Sequence, residues 1–375
     1  MAMPTREEIS IALGEIQDPQ LRRGINQLSM VKDVRVEGAR VGVQIALVIP
    51  GPAGEAHFRE AVSAKLRSRH PGIEEVVVRF VSMSEEERAA VVAGLRSAPD
   101  PFARDDSPTQ VIAVGSGKGG VGKSTTTTNL AVSLAKLGHT VGLLDADVWG
   151  FSVPRMLGVH ETPAVVGDMI VPPEAFGVKV VSIGLFTSED NPVVWRGPML
   201  HKALQQFLSD VHWDDPDYLL VDLPPGTGDV SISIAQFLPG ASMLIVTTPQ
   251  PVAEKVAQRA GFMAEKTGLS VVGVIENMSF FRADDGKKYR LFGEGGGHSL
   301  ATRLQVPLLG EIPLDPQLRE LADEGVPIVL RAPDGEVAQA LETTAKEIVN
   351  LLPPRPKRAR RISLPLMGGA PRAER

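Results

Sequence analysis

Cysteine is absent from all 375 residues, so the chain can form no disulfide and offers no thiolate to a metal ion or cluster. No apolar run approaches the roughly 18 residues that a membrane helix needs. The opening Met1-Ala2-Met3-Pro4-Thr5-Arg6-Glu7-Glu8 also lacks the apolar core of a signal peptide. These absences lead to the expectation of a cytoplasmic protein. A basic excess is missing too: the net charge of −6 gives no general case for nucleic acid. What is present is an ordinary globular composition, 43% apolar and 22% charged, in a chain with material for two domains.

The most informative stretch is Gly117-Lys118-Gly119-Gly120-Val121-Gly122-Lys123-Ser124-Thr125. Before it, Val111-Ile112-Ala113-Val114 reads as a buried strand; after it, Leu130, Leu134 and Leu137 follow a helical spacing that Gly138 ends. A strand, a glycine-rich turn and a helix are the setting of a phosphate loop. Glycines let successive backbone N–H groups turn toward an anion, and the helix N-terminus adds a favourable dipole. Lys123 then meets the β- and γ-phosphates of a nucleoside triphosphate, and Ser124 places its hydroxyl on Mg²⁺. Gly115, Gly117 and Gly120 also spell a dinucleotide fingerprint, with Asp145 where a ribose-binding acid belongs. The Lys123-Ser124 pair decides for ATP over NAD, because a dinucleotide site needs a close-packed glycine there and has no use for an ammonium group.

Taken in order, Thr5 and Glu8 predict a capping box, with Ile9, Leu13 and Ile16 continuing at helical spacing. Strands are expected at 34–36, 41–49 and 76–81 with a helix over 54–69, which together make a small α/β module of residues 1–96. Pro50-Gly51-Pro52 reads as turn chemistry. Residues 97–108, dense in Pro, Asp and Ser, predict an extended linker. Over 109–352, apolar strands at 111–114, 141–145, 178–183, 218–222, 242–248, 271–276 and 308–312 alternate with helices. That alternation predicts a doubly wound, mostly parallel sheet with ligand at the carboxyl ends of its strands. The basic stretch over 353–375 reads as a disordered, solvated tail, with contact to anionic lipid or nucleic acid as the competing use.

Three carboxylates sit at strand ends. Asp145 and Asp147 follow Leu143-Leu144, where one can join the Mg²⁺ shell and the other, Asp147, can orient the attacking water. Asp222 closes Tyr218-Leu219-Leu220-Val221 as a second magnesium-side acid, and Gly226 beyond it can present a backbone N–H to the γ-phosphate.

The extra lysine at 118 makes the loop similar to the deviant phosphate loop of the MinD and ParA superfamily. Within that superfamily the chain resembles the Mrp/ApbC group of ATPases. The residues that carry this are Asp145-Ala146-Asp147, the string from Asp222 to Asp229, Thr248-Pro249-Gln250 and Glu276-Asn277-Met278-Ser279. The first 95 residues resemble the small iron–sulfur assembly domain often fused to these proteins. The resemblance implies a homodimer with ATP in its interface, Lys118 reaching the partner's phosphates, Asn277 on adenine, and Pro313 to Asp315 as the other wall of the base pocket. It also implies iron–sulfur cluster carriage, with assembly proteins or apo-protein clients as partners. Many relatives bear Cys-x-x-Cys soon after Asn-Met-Ser, whereas the stretch from Phe280 to Gly293 here has no thiol, and clusters are held overwhelmingly by thiolates. The leading expectation is therefore an Mg²⁺-dependent ATPase of that group. The alternative is a nucleotide-switched positioning protein like MinD or ParA, although the tail lacks the apolar spacing of an amphipathic anchor.

Overall fold

Thr5 and Glu8 form the expected capping box: Glu8 N donates to Thr5 Oγ1 (3.2 Å) and Thr5 N donates to Glu8 Oε2 (2.8 Å), which starts helix α1 (Arg6–Gly14). The computed structural model describes residues 4–96, 101–104, 106–147, 150–186, 197–226 and 229–357. The expected linker positions 97–100 and the tail from 358 onward lie outside them. Strands β1 (Val31–Glu37) and β2 (Arg40–Leu47) form an antiparallel hairpin. Helix α2 (Pro52–Arg69) then leads to β3 (Glu75–Ser82), parallel to β2. Pro52 opens α2 at a position where its missing N–H costs nothing, so the Pro-Gly-Pro turn is a helix start. Phe58, Val62 and Leu66 recur every four residues and bury one face of α2; a second capping box, Ser84 with Glu87, starts α3 (Glu85–Leu95).

The second part begins with β4 (Gln110–Gly115), α4 (Lys123–Lys136), β5 (Val141–Asp145) and the single turn α5 (Val153–Met156). Short strands β6 (Ala164–Val166), β7 (Met169–Val171) and β8 (Glu174–Ala175) precede β9 (Val178–Ser182), α6 (Gly197–Ser209) and β10 (Tyr218–Asp222). Then come α7 (Asp229–Phe237), β11 (Ser242–Thr247), α8 (Pro251–Thr267), β12 (Ser270–Arg282) and β13 (Lys288–Tyr289). The chain closes with α9 (Gly296–Leu304), β14 (Leu308–Leu314), α10 (Pro316–Glu324), α11 (Ile328–Arg331) and α12 (Glu336–Leu351). The main sheet runs β13-β12-β11-β4-β10-β5-β9-β8, with β14 beside β12. Its interior pairs are parallel, and β13 and β8 add antiparallel edges. Every residue of β5, β9 and β10 is buried, as a sheet covered by helices on both faces requires. Among the described residues no helix is long and apolar enough to cross a membrane.

Three features differ from expectation. Phe102, within the expected linker, is buried and packs edge-on against Trp213, so the connection is anchored rather than simply extended. The strand expected over 271–276 continues to Arg282, because Asp285-Gly286 turns the chain (Gly286 φ +78°) and lets β13 pair back on Phe281 and Arg282. The first residues of the expected tail form a strap: Gln110 Nε2 donates to Pro353 O (2.9 Å), Arg355 to Ser107 O (3.2 Å), and Lys357 to Thr140 Oγ1 (2.9 Å).

The β6–β7 hairpin belongs to the core of the first module, since Val166, Met169 and Val171 are buried in one cluster with Ile9, Ile45 and Val92. Polar contacts flank it. Arg22 pairs with Glu174 (2.6 Å), Arg23 grips both oxygens of Asp214 (2.6 and 3.2 Å), and Arg96 pairs with Asp168. At this junction His212 is 4% exposed, and burial together with the neighbouring Lys179 cation pushes its pKa down to about 4. The unfolded chain takes up a proton near pH 6.5 that the native imidazole refuses until about pH 4, so this group subtracts stability as pH falls through that window. Urea unfolding should therefore lose more stability between pH 7 and 5 in the native sequence than in His212→Gln, by roughly 1 kcal/mol per pH unit. Equal slopes in the two proteins would sink that assignment.

Candidate functional site

Strand β4 carries the chain to Gly115, and residues 116–122 cross the carboxyl end of the sheet before α4 begins at Lys123. Two glycines are dictated by close approach. A Cβ on Gly117 would lie 2.2 Å from the backbone carbon of Val256, and one on Gly122 (φ +76°) would lie 2.2 Å from Asn277 Nδ2. Two contacts from distant residues and one bond within the loop hold it. Asn277 Nδ2 donates to Val121 O (2.8 Å), Gly226 N donates to Ser116 O (2.9 Å), and Ser116 Oγ donates to Lys118 O (3.0 Å). Gly119 and Gly120 remain exposed at the mouth.

Beneath the loop, three donors converge on one carboxylate. Lys123 Nζ (2.7 Å) and Ser124 Oγ (2.6 Å) donate to Asp222 Oδ2, while Thr127 Oγ1 donates to Oδ1 (2.8 Å). Lys123 is 6% exposed and Asp222 fully buried, so the ion pair is largely removed from water. Register puts Asp222 level with Asp145 on the neighbouring β5. Asp145 accepts from the backbone N–H of Asp147 (3.1 Å), Ser152 (3.3 Å) and Val153 (3.4 Å), and from Ser182 Oγ (3.1 Å). Burial first, and the Asp222 charge second, push its pKa up to about 7 despite those donors. Asp147 Oδ1 accepts from Gly150 N (3.1 Å) at the edge of this cluster.

The fold thus gathers buried Lys123, Asp145 and Asp222 and half-buried Ser124 from three different elements into one group, with Asp147 beside it. Pro313 is buried one residue beyond Ile312, the register partner of Asn277, so the two residues expected around a base lie on neighbouring strands, Asn277 inside β12 rather than at its end. Three residues expected to contact ligand have partners within the protein in this structure. The Asn277 amide N–H is engaged by Val121 O, the Gly226 N–H by Ser116 O, and Lys118 Nζ by Gln250 Oε1 (2.7 Å). Of the three, only Asn277 is buried, and its amide N–H is paired as a buried polar group requires. Thr227 and Gly228 of the Asp222–Asp229 string lie outside the described residues. Sequence reasoning missed Thr127 and Ser182. A threonine three positions after Ser124 lies on the α4 face that carries Ser124, which was the available signal for the first. Nothing local marks the second.

A family profile described as the NUBPL iron-transfer P-loop NTPase matches residues 107–349. The chain belongs to the NUBPL-type iron-transfer P-loop NTPase family. A second profile, described as an iron-sulfur cluster assembly protein, matches residues 6–79. The iron-sulfur cluster carrier protein of Mycobacterium tuberculosis is 50% identical over 349 residues, covering 90% of this chain and 91% of that protein. The protein of the same name from Bacillus subtilis is 46% identical over 319 residues, covering 83% and 89%. Among solved structures, a nucleotide-binding protein from Archaeoglobus fulgidus in complex with ADP matches with a TM-score of 0.52 and 38% identity, over 60% of this chain and 92% of its own length. Membership of the iron-transfer P-loop NTPase family agrees with the resemblance read from the loop lysines and the strand-end acids.

Proposed function

We propose that this protein is an Mg²⁺-dependent ATPase, acting as a homodimer, that drives iron–sulfur cluster transfer without supplying the cluster's thiolates. The observation that carries the ATP half is the convergence of Lys123, Ser124 and Thr127 on Asp222 beneath a glycine loop. The backbone N–H groups over residues 119–122 cradle the phosphates, and Lys123 exchanges Asp222 for the β- and γ-phosphates. Ser124 and Asp222 are the groups that would hold Mg²⁺ directly, with Asp145 behind them; one or two carboxylates and a hydroxyl suit a small, oxygen-seeking cation. When bound, Mg²⁺ neutralises charge developing on the transferred phosphoryl oxygens. Asp147 orients the attacking water, Asn277 and Pro313 bracket the base, and Lys118 enters the site of the partner subunit.

The cluster is cargo, and the residues present do not fit it as ligands. The chain has no cysteine, and among the described residues no group of three or more His, Asp or Glu side chains could hold a metal ion. The hairpin that occupies residues 280–289 is stitched by Arg282 and Lys288 to Glu336, and Lys288 also sits 3.8 Å from the Phe280 ring centre. Partner proteins must therefore bring the thiolates. Two measurements test the reading. A bound fluorescent ATP analogue should be displaced by ATP and not by NADH. Anaerobic incubation with iron and sulfide should leave no stable absorbance at about 400 nm; on the order of one cluster per dimer would overturn the ligand argument.

A further inference from the structure

Strand β9 has different partners at its two ends. Near its start, Lys179 is 4% exposed and donates to His212 O (2.9 Å), beside Asp214. Glu174 on β8 stands opposite Lys179 in register, and the first module grips this edge through Arg22 on Glu174 and Arg23 on Asp214. Three residues along, fully buried Ser182 donates to Asp145 Oδ2 (3.1 Å) and accepts from Gly184 N (3.1 Å). Arg22 (φ +51°), Asp214 (φ +64°) and Asp215 (φ +49°) are all left-handed, a conformation that costs strain at arginine and that aspartate holds more readily.

We propose that β9 is a coupling strand: docking of the first module through Arg22 and Arg23 fixes β9, and Ser182 at its far end positions Asp145. The reason lies in the sheet order. β5 is held between β10 and β9, whereas among the described residues only the two-residue β8 and the docked module lie beyond β9. Its five buried residues move as one rod, so loosening the module loosens the hydroxyl on Asp145. The consequence for metal rests on the Mg·ATP reading above; the mechanical link does not.

The test uses the full chain with Arg23→Ala, Asp214→Asn and Ser182→Ala. Asparagine tolerates the left-handed backbone, so Asp214→Asn removes charge without added strain. With no nucleotide added, exchange of the Asp147, Ser152 and Val153 amides, which donate to Asp145, should quicken about fivefold in Arg23→Ala and in Asp214→Asn, and less in Arg23→Lys. With nucleotide, the Mg²⁺ concentration for half-maximal binding should rise about fivefold in each single variant, while affinity measured in EDTA stays unchanged. Arg23→Ala combined with Ser182→Ala should equal Ser182→Ala alone, as for one shared path. Faster exchange at the β6–β7 hairpin with unchanged exchange at 147–153 would overturn the coupling, and so would additive effects. If the native protein shows no Mg²⁺-dependent nucleotide binding yet the exchange link persists, the ATP reading fails and the coupling stands.

Discussion

Lys123→Ala is expected to abolish Mg·ATP binding, with affinity falling by roughly 100-fold or more, the scale of a lost charge-assisted hydrogen bond together with its Coulomb attraction. Its effect on the protein alone is nearly as large. The ammonium group is the partner of a carboxylate with no solvent exposure, and removing one member of a buried pair typically costs about 3–5 kcal/mol. Two buried acids, Asp222 and Asp145, are then left side by side, with hydroxyl and amide donors among the described residues. Asp145 already titrates near 7, well above its unfolded value of 3.8, so the folded protein binds the extra proton between those limits and loses stability as pH rises through them. Without Lys123 that window widens upward. The variant should consequently melt further below the native protein at pH 8 than at pH 6. Retained ATP affinity, measured by calorimetry on protein shown to be folded, would refute the loop assignment.

Much of this fold was legible because its signals are local. The strands that build the site, β4, β5 and β10, are short runs of apolar residues closed by glycine or aspartate, and α4 shows leucines at helical spacing. The start of α1 is readable for the same reason, since Thr5 and Glu8 cap it through bonds that span only three residues. The short strands β6, β7 and β8 were not legible, since two or three residues carry no period, and their packing on the first module depends on contacts more than 70 residues away in sequence.

The candidate site divides the same way. Gly117, Lys123 and Ser124 follow from spacing, and the strand-end position of Asp145 and Asp222 follows from the apolar runs before them. That these acids become register neighbours depends on β10 inserting between β4 and β5, a matter of sheet order alone. Asn277 shows the limit clearly. Its type suits the base contact proposed for it, but nothing in the sequence announces that one N–H of its amide also braces the loop through Val121 O, 156 residues away. Ser182 was invisible for the same reason, because a serine ending a buried strand announces no partner.

Lys118→Ala should leave ATP binding to the isolated subunit within about twofold while lowering turnover by on the order of 1,000-fold, as loss of a cation supplied across an interface does. Lys118 is half-buried, and its partner is the neutral amide oxygen of Gln250 at 2.7 Å. A phosphate oxygen outcompetes that partner, because its negative charge adds a Coulomb attraction to the ammonium group that the neutral amide oxygen lacks. Asp147→Asn should lose turnover independently, through the water. Mixing the two inactive variants then separates the geometries. If Lys118 acts across the dimer, a mixed dimer pairs an intact Asp147 in one subunit with an intact Lys118 from the other, and an equal mixture regains about a quarter of native activity. If Lys118 acts within its own subunit, every site in every mixed dimer lacks one of the two groups. Activity that stays at the level of the separate variants would therefore place ATP away from the interface, even with the loop assignment intact.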